Sequence, residues 1–129
     1  MEKIIGPVTL EPIQQSQITT YAEVSGDINE IHLNEEEAKA AGLPGVIAHG
    51  MLTMGMLGSL FSKYLEQGFI KEYSARFNGM VFLEDIITMR ANLLEKKGNL
   101  FRYEVIAENQ NKAPVVKGKV SFCQMVGGV

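Results

Sequence analysis

Hydrophobic spacing divides the chain near residue 67, with helical periods before it and strand-like runs after it. Gly6 to Leu10 reads as a short first strand. Ile13, Ile18, Tyr21, Ala22 and Ser25 then fall near helical spacing, with Ser16 as the N-cap and Gly26 as the stop. A second, short helix is signalled by Asn34 as N-cap, by Glu35, Glu36 and Glu37 at the positive end of the dipole, and by Gly42 at its end. Glu37, three residues after Asn34, gives a variant capping box. From Gly50 to about Gln67 the apolar residues Met51, Leu52, Met54, Met56, Leu57, Leu60, Phe61, Tyr64 and Leu65 cover most of a helix circumference, which predicts a buried helix. Gly55 and Gly58 would each cost it about 1 kcal/mol relative to Ala, so a neighbouring backbone is expected to approach closely there.

Four strand-like segments follow: Ile70 to Val81, Ile86 to Lys96, Leu100 to Asn109 and Val115 to Gln124. Turn signals at Leu83-Glu84-Asp85, Lys97-Gly98-Asn99 and Asn109-Gln110-Asn111 separate them. Strands that follow a central helix predict an α+β fold, with four or five antiparallel strands around one long buried helix. Such a sheet leaves open edges, so pairing with a second copy is expected.

At 129 residues, 46% of them hydrophobic, the chain reads as one domain over 1–129, large enough to fold without disulfides or a structural metal. Its one cysteine, Cys123, is expected as a small buried residue. A chain without a cysteine framework fits a cytoplasmic setting. Met1 to Pro7 does not read as a signal peptide, and the apolar-rich stretch from Val46 to Leu65 is interrupted by polar residues and glycines, so no membrane association is expected. The net charge is −3 and the twelve Lys and Arg are scattered, which argues against a nucleic-acid partner but leaves room for an anionic small molecule. No Gly-x-Gly-x-x-Gly or Walker A run is present, no zinc spacing occurs around His32 and Glu35 to Glu37, and Met51, Met54 and Met56 read as core filling. No metal and no cofactor are expected.

His32 and His49 are the two histidines, and each lies in unusual sequence. In Ser25-Gly26-Asp27-Ile28-Asn29-Glu30-Ile31-His32, Asp27 and His32 sit on a connection between helices. There a carboxylate and an imidazole can converge on one water as an acid/base pair. The same residues also read as ordinary turn formers, with His32 a packed helix-entry residue. In Gly45-Val46-Ile47-Ala48-His49-Gly50-Met51 the chain enters the predicted central helix. Its free first-turn N–H groups can hold an oxyanion, and Gly50 would let a carbonyl come close. Gly50 also reads simply as easing helix entry, with His49 packed neutral beside it.

Taken together, Tyr21 through His32 and Gly45 through Leu52 resemble the MaoC-like hydratases, the (R)-specific enoyl-CoA hydratase family. That family's pattern is an aromatic, a small spacer, Ser-Gly-Asp-x-Asn-Pro-x-His, and later Ile-Ala-x-Gly-Met-Leu. Arg76-Phe77 and Asp85 resemble its Arg-Phe, apolar segment and Gly-Asp stretch, so the likeness covers most of the chain. Glu30 stands at the usual proline, and Met80 and Glu84 replace a proline and a glycine expected before Asp85.

The resemblance implies a hot-dog fold, an antiparallel sheet wrapped around a long central helix, assembled as a homodimer or dimer of dimers. It implies Asp27 and His32 as the catalytic pair, the Gly50 N–H as the donor to the thioester carbonyl, His49 beside that thioester site, and Asn29 orienting the loop. The implied reaction is hydration of a trans-2-enoyl-CoA, or acyl-carrier-protein thioester, to the (R)-3-hydroxyacyl form, or the reverse dehydration. The alternatives are a hot-dog acyl-CoA thioesterase and a non-catalytic thioester-binding subunit. Gly50 to Leu65 contains no Asp or Glu, which argues against relatives that carry their acid on the central helix.

Overall fold

The computed structural model describes residues 1–125. Its elements run β1 (Ile4–Thr9), α1 (Gln15–Ser25), a 3-10 turn (Glu30–His32), α2 (Glu35–Ala40), α3 (Gly50–Gly58), a second 3-10 segment (Ser59–Tyr64), β2 (Gly68–Phe77), β3 (Thr88–Lys97), β4 (Leu100–Glu108) and β5 (Pro114–Gln124). The strands form one antiparallel sheet in the order β1-β3-β4-β5-β2. This is the α+β, hot-dog arrangement expected from the sequence, with strand boundaries displaced by a few residues.

Local chemistry sets the helix ends. α1 starts after Gln14 rather than Ser16, because Gln17 Oε1 accepts the Gln14 N–H at 2.8 Å and satisfies the helix entrance. Gly26 ends it at φ 82°, where its N–H reaches the Ala22 carbonyl. Asn34 caps α2 through the Glu37 N–H at 3.1 Å. The Glu35 carboxylate instead accepts the Val46 N–H at 3.4 Å, linking α2 to the segment that leads into α3.

The long central helix expected from Gly50 to Gln67 is corrected in two ways. α-Helical geometry stops at Gly58 and continues as 3-10 turns to Tyr64. Ser59 Oγ donates back to the Met56 carbonyl, a local bond that competes with the helical ladder at that point. Burial is also one-sided. Thr53, Leu57, Leu60, Phe61 and Tyr64 pack on the sheet, where Phe61 meets Tyr103 and Phe122, whereas Met51 is 59% exposed and Met54 and Met56 are half-buried. One curved sheet covers one side of a helix.

The two helix glycines differ from expectation as well. A Cβ at Gly58 would sit 3.1 Å from the Tyr73 ring, so a side chain and not a backbone approaches there; nothing lies within 4 Å of one at Gly55. The Tyr73 hydroxyl donates to the Met54 carbonyl at 2.6 Å, and burial pushes its phenol up to about 12. Cys123 is half-buried on β5, more open than expected.

The β2–β3 connection carries Asp85, which is 8% exposed. One carboxylate oxygen accepts the Phe82 N–H at 2.8 Å and the other accepts from Gln110 Nε2 at 3.0 Å, so this aspartate builds a turn. Glu84, where the resembling family has glycine, is held at φ 69° in the left-handed region, and its N–H reaches the Ile13 carbonyl at 2.8 Å. That conformation costs a side-chain-bearing residue about 1–2 kcal/mol. Glu84→Gly keeps the backbone bond and removes the strain, so it is expected to raise stability by about 1 kcal/mol after the entropy of glycine is counted, read as a higher midpoint in urea unfolding.

Candidate active site

The connection between α1 and α2 is built from short polar side chains that bond their own neighbours. Ser25 Oγ accepts the Asp27 N–H at 3.2 Å, Asp27 Oδ1 the Asn29 N–H at 3.4 Å, and Asn29 Oδ1 the Ile31 N–H at 3.1 Å. These successive turns fold the chain back so that Asp27, exposed, and His32, 7% exposed, share one side of it. Gln15 Nε2 reaches the His32 carbonyl at 3.0 Å, and the Ile47 N–H reaches the Ile31 carbonyl at 3.2 Å. The second segment therefore lies alongside the first.

Hydrogen-bond partners fix both imidazoles. His32 Nδ1 lies 2.7 Å from the Ile47 carbonyl oxygen, and a carbonyl only accepts, so Nδ1 carries the hydrogen and Nε2 is the nitrogen left to offer a lone pair. His49 Nε2 lies 2.9 Å from the main-chain carbonyl of Asp27, so Nε2 carries the hydrogen there and Nδ1 is left as a buried atom without a partner among the described residues. The two rings stack with centroids 3.7 Å apart and 22° between planes, and Tyr21 leans on His49 at 4.9 Å. A carboxylate oxygen of Asp27 and one ring nitrogen from each histidine lie within 4.8 Å of one another.

Two histidines and a carboxylate at this spacing resemble a metal triad in number only. Imidazole lone pairs lie in the ring plane, and a bound ion sits about 2.1 Å from the nitrogen. Rings stacked almost in parallel at 3.7 Å cannot both point at one such ion. A hydrogen-bonded water tolerates that geometry, and the lone pairs of Asp27 and His32 are the acceptors that one water needs.

Gly50 opens α3 directly after His49. The Leu52 and Thr53 amides turn back to the His49 carbonyl at 3.1 and 3.3 Å, which leaves Gly50 and Met51 as the first-turn N–H donors without a backbone partner among the described residues. A cavity of about 180 Å³ is lined by Ala48 and Gly50, the residues on either side of His49, and by Thr53, Phe77, Met80 and Val116. A Cβ at Gly50 would stand 3.1 Å from the Phe77 ring, so glycine keeps this mouth open. Donors at a helix start beside an apolar hollow suit a carbonyl oxygen that gains negative charge.

Asp27, His32, His49 and Gly50, singled out in the sequence, are thus brought together, and Asn29 shapes the turn between the first two. Arg76 is not part of the cluster: it is exposed on β2 opposite Lys117. Sequence reasoning missed the His49–Asp27 bond, the support from Gln15, and Thr53 in the cavity wall. Tyr21, the aromatic of the first motif, was the one hint of a ring partner for His49.

Residues 5–115 match the family model described as the MaoC like domain. Among curated proteins, the chain is 30% identical over 108 residues to a fatty acid synthase beta subunit TOXC of Cochliobolus carbonum, covering 81% of this chain and 5% of that one. It is 38% identical over 82 residues to 3-hydroxyacyl-thioester dehydratase X of Mycobacterium tuberculosis, covering 63% of this chain and 28% of that one. The chain thus spans little more than a quarter, at most, of these two relatives. The solved R-hydratase PhaJ1 of Pseudomonas aeruginosa superposes with a TM-score of 0.73 at 28% identity, covering 92% of this chain and 80% of that one. A family match over most of the chain, a hot-dog sheet and the two motifs folded against each other lead to one assignment: the chain belongs to the MaoC-like domain family.

Proposed function

We propose that this protein is a hydro-lyase that adds water across the 2,3 double bond of a trans-2-enoyl thioester, carried by CoA or an acyl carrier protein, to give the (R)-3-hydroxyacyl thioester, or runs the reverse dehydration. The observation that carries the reading is the convergence of the Asp27 carboxylate and a His32 ring nitrogen within 4.8 Å, beside the first-turn N–H groups that open α3. Its relatives named as hydratase and dehydratase support the same reaction type.

The chemistry balances with these groups alone. Asp27 and His32 hold one water, whose oxygen bonds to C3 while one of its protons passes to the pair. The π electrons move toward the thioester carbonyl, whose oxygen gains charge and is met by the Gly50 N–H. A proton returned by the pair to C2 completes the addition, and Asn29 keeps the loop in the turn that lets Asp27 face His32. The hollow of about 180 Å³ beside Gly50 suits a short acyl chain. A second copy joined along the unpaired outer edge of β2 would give the homodimer common to such sheets, and would cover part of the exposed side of α3.

The test is to mix purified protein with crotonyl-CoA and with longer enoyl-CoA thioesters, following loss of the conjugated absorbance while titrating free thiol. Hydration without thiol release, fastest on the short chain, is the expected result. Thiol release would make the protein a thioesterase, and binding with neither reaction would make it a thioester-binding subunit.

A further inference from the structure

Apart from the one made by His49, every hydrogen bond made by residues 26–30 among the described residues reaches no more than four positions along the chain. The whole of this segment is exposed. The exception is the bond from His49 Nε2 to the Asp27 carbonyl, at 2.9 Å and 22 residues away in sequence.

His49 itself has little freedom. It is 3% exposed, its ring is packed between His32 and Tyr21, and its carbonyl receives the Leu52 and Thr53 amides at the start of α3. A phenyl ring would fill the same space without leaving a buried nitrogen unpartnered, so packing alone does not account for an imidazole here. What the imidazole adds is the Nε2–H.

We propose that His49 is a positioning residue for the hydration reaction: through its Nε2–H it straps the Asp27 segment to the helix start that carries the Gly50 donor. This rests on the hydratase reading above and assigns His49 a task separate from lining the thioester site. One side chain then sets the distance between the acid/base pair and the carbonyl-polarising N–H. Catalytic geometry is sensitive to such settings, since a displacement of about 1 Å can cost on the order of a hundredfold in rate.

Two substitutions separate the parts. His49→Phe keeps a stacked ring and removes the donor; His49→Gln offers an N–H in nearly the same place without the ring. Steady-state hydration of crotonyl-CoA is expected to show kcat reduced roughly 10- to 100-fold in His49→Phe, with KM within about twofold of the parent, and largely restored in His49→Gln. Amide hydrogen exchange at residues 26–30, measured on the same proteins, is expected to speed up in His49→Phe and to return toward the parent in His49→Gln. His49→Leu repeats the loss of the donor with a flexible side chain should the phenyl variant unfold. An unchanged kcat with unchanged exchange would reduce His49 to packing, and a raised KM at unchanged kcat would make it a thioester ligand; either overturns the proposal. If the parent protein hydrates nothing, the hydratase reading fails, and the exchange data alone decide whether the strap exists.

Discussion

Asp27→Asn is expected to slow enoyl-CoA hydration roughly a thousandfold while leaving thermal unfolding unchanged. In the proposed reaction the carboxylate holds and deprotonates the water, and losing such a group typically costs 10²–10⁴-fold in rate. The unchanged stability follows from exposure. Among the described residues the Asp27 side chain accepts one hydrogen bond, from the Asn29 N–H at 3.4 Å, and the carbonyl of an asparagine accepts it equally well. A substitution that damaged the fold instead would lower the melting temperature and the rate together, so paired measurements of kcat and melting separate the two.

Gly118→Ala is expected to lower stability strongly. Gly118 lies on β5 opposite Ala75 of β2 and Val105 of β4, and a Cβ there would stand 2.2 Å from the Ser74 carbonyl oxygen. That oxygen is main chain, so relief requires β2 to move off β5. Overpacking of this kind costs about 3 kcal/mol, which in a chain of this size lowers the melting temperature by roughly 10 °C. Lys117→Ala, at the exposed neighbouring position, is the control and should stay within about 0.5 kcal/mol of the parent. Activity is expected to fall with Gly118→Ala as well, because β2 ends in Phe77, whose ring forms the wall opposite Gly50.

What could be read in advance was written in local chemistry. Asn34 caps α2 through its own side chain, Gly26 and Gly42 take the left-handed conformation that ends helices, and Asn29 shapes the turn that brings Asp27 toward His32. Each involves residues a few positions apart, where spacing carries the information. The shape of the central segment was less legible. Its all-round apolar pattern suggests burial on every side, but the sheet of one chain reaches only the Thr53, Leu57 and Phe61 side. At its tightening the Ser59 hydroxyl bonds back to the Met56 carbonyl, a local detail that no hydrophobic pattern encodes.

The same limit applies within the site. Two histidines in two motifs suggested two separate tasks, yet their rings stack face to face and one of them holds the carbonyl of Asp27. Nothing in the spacing of residues 27, 32 and 49 contains that contact, because it arises only when the α3 entrance folds back along the connection after α1. Glu84 is the reverse case. Its departure from the family pattern was plain in sequence, and its left-handed backbone now explains why glycine is the usual occupant.

In the proposed reaction Asp27 and His32 act on one water. The most direct measurement is a double-mutant cycle on crotonyl-CoA hydration with Asp27→Asn, His32→Asn and the double variant; asparagine at 32 keeps a donor toward the Ile47 carbonyl while removing the second ring nitrogen. Two groups that serve one proton transfer lose their joint function when either is removed, so the double variant should be no more than about threefold slower than the slower single variant. Losses that multiply across the cycle would mean two independent roles, and the shared water would have to be abandoned.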